Sequence, residues 1–378
     1  MKSNNILSGI TEVEIGISGR CNSGCIDCER FYIKDKKDIF INSRNKTLNK
    51  IIDVDLVSKS LIKCKKLKNL YIIGTTGDPL THPDLVKFVG KIYSALPSVN
   101  IIIHTNGSLG SEQIWQTLAL FSDRTEVVFS IDGLEDTNHI YRRNVKWESI
   151  MKNAKTFIDA GGKATWKWVI FPHNKHQLLE ARHTSYKMGF NKFVAEDRYT
   201  PLDWFDDLIV DQSSLPIPTQ GYLPSLTAQM VEQEKQSYDQ MFKKFIEMGG
   251  TINPWCTSDN SKLEKFYIDA DGTVWPCCYF AVLEYYCDQN VWASWLLKKK
   301  QIINRHGEKF NNIYFRDLEK ILTCEIFPPR VSQNFDNLDS AESSDIMKPC
   351  IINCGKCLDV ETRGRLSDHS LEFFKYRN

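Results

Sequence analysis

The sequence predicts an α/β protein: a partial (β/α)6 barrel of the TIM type, followed by a cysteine-rich C-terminal domain. Three observations carry this expectation. Short β-branched and aromatic runs alternate with amphipathic stretches through the first half, and such alternation makes a parallel sheet with right-handed crossovers. The alternation stops after about Asp197, and eight of the twelve cysteines lie beyond residue 255. The 378 residues suggest two to three domains, at about 150 residues each.

Strands are expected at Val13–Ser18, Leu70–Ile73, Ile101–His104, Val127–Ile131, Trp166–Phe171 and Lys192–Ala195. Between them, Val54–Lys66, Pro83–Ala95, Ser111–Phe121, Trp147–Ala160 and Gln177–Met188 repeat apolar residues at helical spacing, as Ile150, Ala154, Phe157 and Ile158 do. Ser111 suits a helix start, and Gly161–Gly162 a helix stop. Reactive groups of a barrel belong on loops at the C-terminal ends of its strands. The expected layout is a barrel over residues 1–200, a connecting segment and helix (Thr227–Glu247) over 201–250, and a cysteine-rich domain over 251–378. In that last part, Phe266–Ile268 and Thr273–Trp275 flank Asp269-Ala270-Asp271-Gly272 and read as a hairpin. Pro328–Met347 reads as a surface loop.

Composition narrows the function. Lys plus Arg is 48 and Asp plus Glu is 47, a net charge of +1, which removes the basic footprint of extended nucleic-acid binding. No apolar run approaches the roughly 18–20 residues that cross a bilayer, and the N-terminus lacks the pattern of a secretory signal. The expectation is a cytoplasmic protein without a membrane partner, whose thiols stay reduced and serve metal or cofactor chemistry.

The strongest motif is Cys21, Cys25 and Cys28, a CxxxCxxC just after the first strand. Three thiolates in one tight loop can hold three corners of an iron–sulfur cubane and leave one iron open. A closed zinc site, the rival, calls for four ligands. After the second strand comes Gly74-Thr-Thr-Gly77-Asp78-Pro79, a flexible backbone with one carboxylate, suited to a ligand ammonium. The third strand ends in His104-Thr105-Asn106-Gly107, and the fourth in Ser130-Ile131-Asp132-Gly133, with His139, Arg142 and Arg143 beyond.

Through these ordered motifs, residues 10–200 resemble the radical S-adenosylmethionine (SAM) superfamily. The resemblance implies a 4Fe–4S cluster on Cys21, Cys25 and Cys28 whose open iron chelates SAM. It implies reductive cleavage of SAM to a 5′-deoxyadenosyl radical that takes hydrogen from a substrate, with an electron donor such as flavodoxin or ferredoxin. Gly77 and Asp78 stand at the family's Gly-Gly-Glu motif and Thr105 and Asn106 at its Thr-Asn-Gly; Ser130, Asp132 and Arg143 complete the implied SAM site. Arg143, four residues after His139, is preferred over Arg142. Asp27 departs from the usual aromatic residue before the last cysteine, with Phe31 or Tyr32 as substitutes near the adenine. Trp168, Glu196 and Asp197, on the last two strands, are candidates to touch adenine or substrate.

The C-terminal cysteines resemble the SPASM or twitch extension of radical SAM enzymes. That resemblance implies one auxiliary 4Fe–4S cluster on Cys256, Cys277, Cys354 and Cys357, the last two forming a CxxC. Cys350 is an alternative ligand, and Cys278, Cys287, Cys324 and Cys350 are left over for a second cluster. Cys64, at mid-helix, reads as a small buried residue. The functional expectation is an oxidoreductase or maturase that oxidises, cross-links or epimerises a peptide. The alternatives are a small-molecule dehydrogenase or epimerase of the twitch type, or a noncatalytic iron–sulfur or zinc scaffold.

Overall fold

A computed structural model describes residues 6–25, 28, 47–74, 77–197, 251–252, 263–278, 281, 302–324, 326–327 and 355–356. Strands β1 (Glu12–Ile15), β2 (Asn69–Ile72), β3 (Asn100–Thr105), β4 (Thr125–Ser130), β5 (Lys163–Ile170) and β6 (Lys192–Asp197) pair in parallel, each with the next. The six expected strands are these, shifted by a few residues at their ends. This is a parallel α/β sheet, consistent with a partial TIM barrel.

Crossover helices follow the strands: α1 (Val54–Leu61), α2 (Leu85–Ala95), α3 (Glu112–Ala119), the short α4 (Asn138–Tyr141), α5 (Trp147–Asp159) and α6 (Leu178–Met188). Their ends follow local chemistry. The Asp53 carboxylate accepts from the N–H groups of Asp55 and Leu56 at the start of α1, and the Ser111 hydroxyl accepts from Ile114 at the start of α3. α6 stops at Gly189, whose left-handed φ of 94° suits a residue without a Cβ.

Alternation along each strand sorts the sheet into two faces. Val13, Ile15, Leu70, Ile72, Ile101, Ile103, Val127, Phe129 and Trp166 form one, packed in a single core with Phe88, Trp115, Leu118 and Phe157 from the helices. The other face carries Glu14, Tyr71, His104, Glu126, Ser130, Lys167 and Glu196. The sheet therefore turns its greasy side to the helices and a polar side to the opposite, inner side.

One neighbour relation does not follow from the repeat. Strand β8 (Lys265–Ile268), from the C-terminal part, lies parallel to β1 on its free edge. The expected hairpin forms: β9 (Val274–Trp275) pairs antiparallel with β8 through a turn in which Gly272 has φ 83°. The sheet order is β6-β5-β4-β3-β2-β1-β8-β9. A buried ion pair, Lys265 Nζ to Glu14 Oε1 at 2.6 Å, joins β8 to β1. A second tie runs from α1 to the segment around α7 (Leu318–Leu322): the Asp53 N–H donates to the Tyr314 hydroxyl at 2.7 Å, and Lys63 pairs with Asp317.

A two-residue strand β7 (Thr251–Ile252) pairs antiparallel with β10 (Gly355–Lys356). The expected helix Thr227–Glu247 and the loop Pro328–Met347 lie outside the described residues, as do Asp27, Phe31 and Tyr32.

Candidate functional site

The C-terminal ends of β1 to β4 meet at the cysteine loop. Cys25 is 8% exposed, and Cys21 and Cys28 are half-buried. The loop is held from two sides. From the β4 side, the Arg143 carbonyl accepts from the Gly24 N–H at 2.8 Å and from the Ser23 hydroxyl at 3.2 Å. From the β2 side, the Asp78 N–H donates to the Arg20 carbonyl at 2.7 Å, and the Thr81 hydroxyl donates to that carbonyl at 3.0 Å. Gly77 lies against the same strand end: a Cβ there would stand 1.9 Å from the Ser18 carbonyl oxygen.

Asp78, Thr105 and Asn106 form one buried knot. The Asp78 carboxylate accepts from the Leu80 N–H (2.9 Å), the Asn106 N–H (2.7 Å) and the Thr105 hydroxyl (2.9 Å). Burial pushes its carboxyl above the usual range, and those hydrogen bonds work against that shift. Asn106 extends the knot to the cysteines: its Nδ2 donates to Asn22 Oδ1 at 3.0 Å and lies 4.0 Å from Cys21 Sγ. Asp78 thus ties the loops around the site together through its carboxylate.

Asp132 is fully buried and likewise saturated. Its Oδ1 accepts from the Val169 N–H at 2.6 Å, and its Oδ2 from Arg142 Nε at 2.6 Å. The guanidinium that reaches the cysteine loop is that of Arg142, with Nη1 at 3.7 Å from Cys25 Sγ. Arg143, singled out from the sequence, meets the loop through its carbonyl. Tyr141 lies beside them; burial and then the Cys25 charge push its phenol well up.

Ser130, at the end of β4, pairs in register with Lys167 on the polar face. There Lys167 Nζ meets Glu196 Oε2 at 2.7 Å. Burial drives the His104 imidazole down to about 4, with Lys167 adding to the shift. Trp168 corrects the sequence reading. It is fully buried on the apolar face, with ring centroids 6.4 Å from Trp166 and 6.1 Å from Phe193. The parity of β5 gives the inner position to Lys167 instead. Neither Lys167 nor the role of Arg142 was found from the sequence; Lys167 comes beside Ser130 through the β4–β5 register, and pairing between strands leaves no local mark.

Among the described residues, no three His, Cys, Asp or Glu side chains converge on a point where a single metal ion could sit. Three thiols on one short loop can each hold one iron at three corners of a cubane. The donors around them fit such a group too, because the Ser23 N–H reaches Cys21 Sγ at 3.4 Å and the Ser23 hydroxyl lies 2.9 Å from Cys25 Sγ. Of the C-terminal cysteines, Cys277 and Cys278 pack at the edge of the core just after β9, and Cys324 is buried. Cys256, Cys287, Cys350, Cys354 and Cys357 lie outside the described residues. Cys64 is fully buried, and burial lifts its thiol to about 12.

Fold and site together define an α/β enzyme scaffold with a thiol loop at the strand ends. Residues 15–184 match the family model described as Radical SAM superfamily, so this stretch is a radical SAM domain. No curated protein matches the chain. Among solved structures, SuiB of Streptococcus suis is similar at a TM-score of 0.53 and 17% identity, over 93% of this chain and 74% of that one. SuiB bound to the precursor peptide SuiA gives a TM-score of 0.51 at 17% identity, over 87% and 67%. SuiB bound to S-adenosylmethionine gives 0.51 at 15% identity, over 93% and 75%. At these identities the likeness speaks for the fold. A radical SAM domain implies a 4Fe–4S cluster and SAM. No helix among the described residues is long and apolar enough to cross a membrane.

Proposed function

We propose that the protein is a radical SAM oxidoreductase or maturase that abstracts hydrogen from a peptide substrate. The observation that carries this is the clamped loop of Cys21, Cys25 and Cys28 at the C-terminal ends of parallel strands, where a barrel keeps its chemistry. A 4Fe–4S cluster with SAM, when bound there, supplies a 5′-deoxyadenosyl radical. This chain's residues hold the loop and shape its surroundings: Gly77, Asp78, Thr105 and Asn106 fix it from one side, and Asp132, Arg142 and Arg143 from the other, with Ser130 at the end of β4 nearby in sequence. The electron comes from a donor of the flavodoxin or ferredoxin kind.

Two observations support a peptide. SuiB, similar in fold, has been solved with a precursor peptide bound. The inner face of the sheet carries the polar side chains Lys167, Glu196 and His104, with Lys167 and Glu196 paired to each other, a lining of the polarity that a peptide's amides require.

An auxiliary 4Fe–4S cluster on Cys256, Cys277, Cys354 and Cys357 belongs to the same proposal. Strand β10 is the two-residue interval of the CxxC, and it pairs with Thr251–Ile252, which precede Cys256 closely in sequence. The β8–β9 hairpin leads directly into Cys277.

The test is iron and sulfide content of the anaerobically reconstituted protein, with dithionite-driven 5′-deoxyadenosine formation in the same sample. About eight irons with cleavage are expected, four per cubane cluster. Four irons with cleavage would remove the auxiliary site, and zinc without cleavage would end the radical reading. Cys25→Ala should abolish cleavage while leaving auxiliary iron in place.

A further inference from the structure

The Asp132–Arg142 pair sits in an unusual position for a group that would only greet a soluble ligand. Asp132 is fully buried and held on every polar atom: its carboxylate by the Val169 N–H and Arg142 Nε, its N–H by Asn138 Oδ1 at 3.0 Å, and its carbonyl by Asn174 Nδ2 at 2.8 Å. A carboxylate so fixed gives the guanidinium one direction. That direction places Nη1 at 3.7 Å from Cys25 Sγ.

The other neighbour of the same sulfur is the Ser23 hydroxyl at 2.9 Å, which also lies 3.2 Å from the Arg143 carbonyl. A hydroxyl has one proton to give, so Ser23 serves the sulfur only by releasing the carbonyl. A guanidinium has donors alone and keeps its charge at every working pH. Arg142 is therefore the constant donor to Cys25.

We propose that Arg142, oriented by Asp132, is a positioning residue that hydrogen-bonds the Cys25 sulfur and raises the reduction potential of the cluster carried by the Cys21–Cys28 loop. Hydrogen bonds and positive charge at a ligating sulfur favour the more negative, reduced state. The inference rests on the radical SAM reading above and adds a role distinct from holding SAM. A guanidinium spent on SAM would move SAM affinity; one spent on Cys25 moves the potential of the cluster before SAM arrives.

The experiment is an EPR-monitored potentiometric titration of the full chain without SAM. It follows the signal that changes shape when SAM is added to a separate sample, which assigns that signal to this loop. In Arg142→Gln the ratio of reduced to oxidised cluster at a fixed potential should fall about tenfold, a shift of about 59 mV for a one-electron couple. Arg142→Lys keeps the charge but loses the fork, so its shift should be smaller. Arg143→Gln should leave the potential where it is.

A wild-type potential in Arg142→Gln together with weakened SAM binding overturns the inference and makes Arg142 a SAM ligand. Loss of iron from both Arg142 variants overturns it too, since the residue then serves assembly. A wild-type chain in which no signal responds to SAM defeats the radical SAM reading itself, a different result from an unmoved potential.

Discussion

At the residue scale, the site depends on two buried carboxylates, Asp78 and Asp132, each held by several hydrogen bonds. Asp78 accepts from three different donors, and each carboxylate oxygen faces a backbone N–H, so Asp78→Asn turns an amide N–H toward a group that can only donate. The expected cost is about 1–3 kcal/mol, read as a lower denaturation midpoint together with poorer iron loading. His104 and His173 give a pH signature. Burial holds both imidazoles near about 4, whereas an unfolded imidazole takes its proton near about 6.5. Between those values the unfolded chain binds more protons, so stability should fall as the pH drops through that window. Thermal melts from pH 7 to pH 4 check this, and His104→Gln with His173→Gln should flatten the slope. This scale was the least legible in the sequence. Adjacent Arg142 and Arg143 are indistinguishable as letters, and only the turn of α4 decides which side chain meets Asp132. Trp168 looked like a pocket residue for the same reason: an apolar run such as β5 does not announce its parity.

At the element scale, the loops do more than connect. The β2 loop crosses the end of β1 so closely that Gly77 has no room for a Cβ beside the Ser18 carbonyl. Gly77→Ala must push one backbone off the other, at about 1–3 kcal/mol. It should loosen the cysteine loop, so iron retention through a desalting column should fall further than the melting temperature alone implies. The strands and helices themselves were legible because each is local. A β-branched run, an amphipathic repeat, Ser111 and Gly161–Gly162 are all read within a few residues. The β8–β9 hairpin was legible on the same ground, with its Asp-Gly turn. The place of β8 beside β1 was not, since pairing between distant segments leaves no local mark.

At the scale of the whole molecule, the C-terminal part is bonded into the barrel sheet. Lys265 and Glu14 are the charged part of that bond, at 8% and 13% exposure. Lys265→Met leaves Glu14 charged and unpaired in the interior, with an expected loss of about 3–5 kcal/mol. Combining it with Glu14→Leu should recover most of that loss in urea denaturation, because no lone charge then remains. The exposed Lys63–Asp317 pair differs: Lys63→Ala should change stability by less than about 1 kcal/mol.

The position of β8 also orders events during synthesis. β1 starts at Glu12 and β8 at Lys265, so 265 − 12 = 253 residues separate the two partners. Until the ribosome has made β8, the outer edge of β1 offers bare N–H and C=O groups to any strand nearby. The nascent chain therefore carries a sticky seam for most of its elongation, until β8 emerges and closes it.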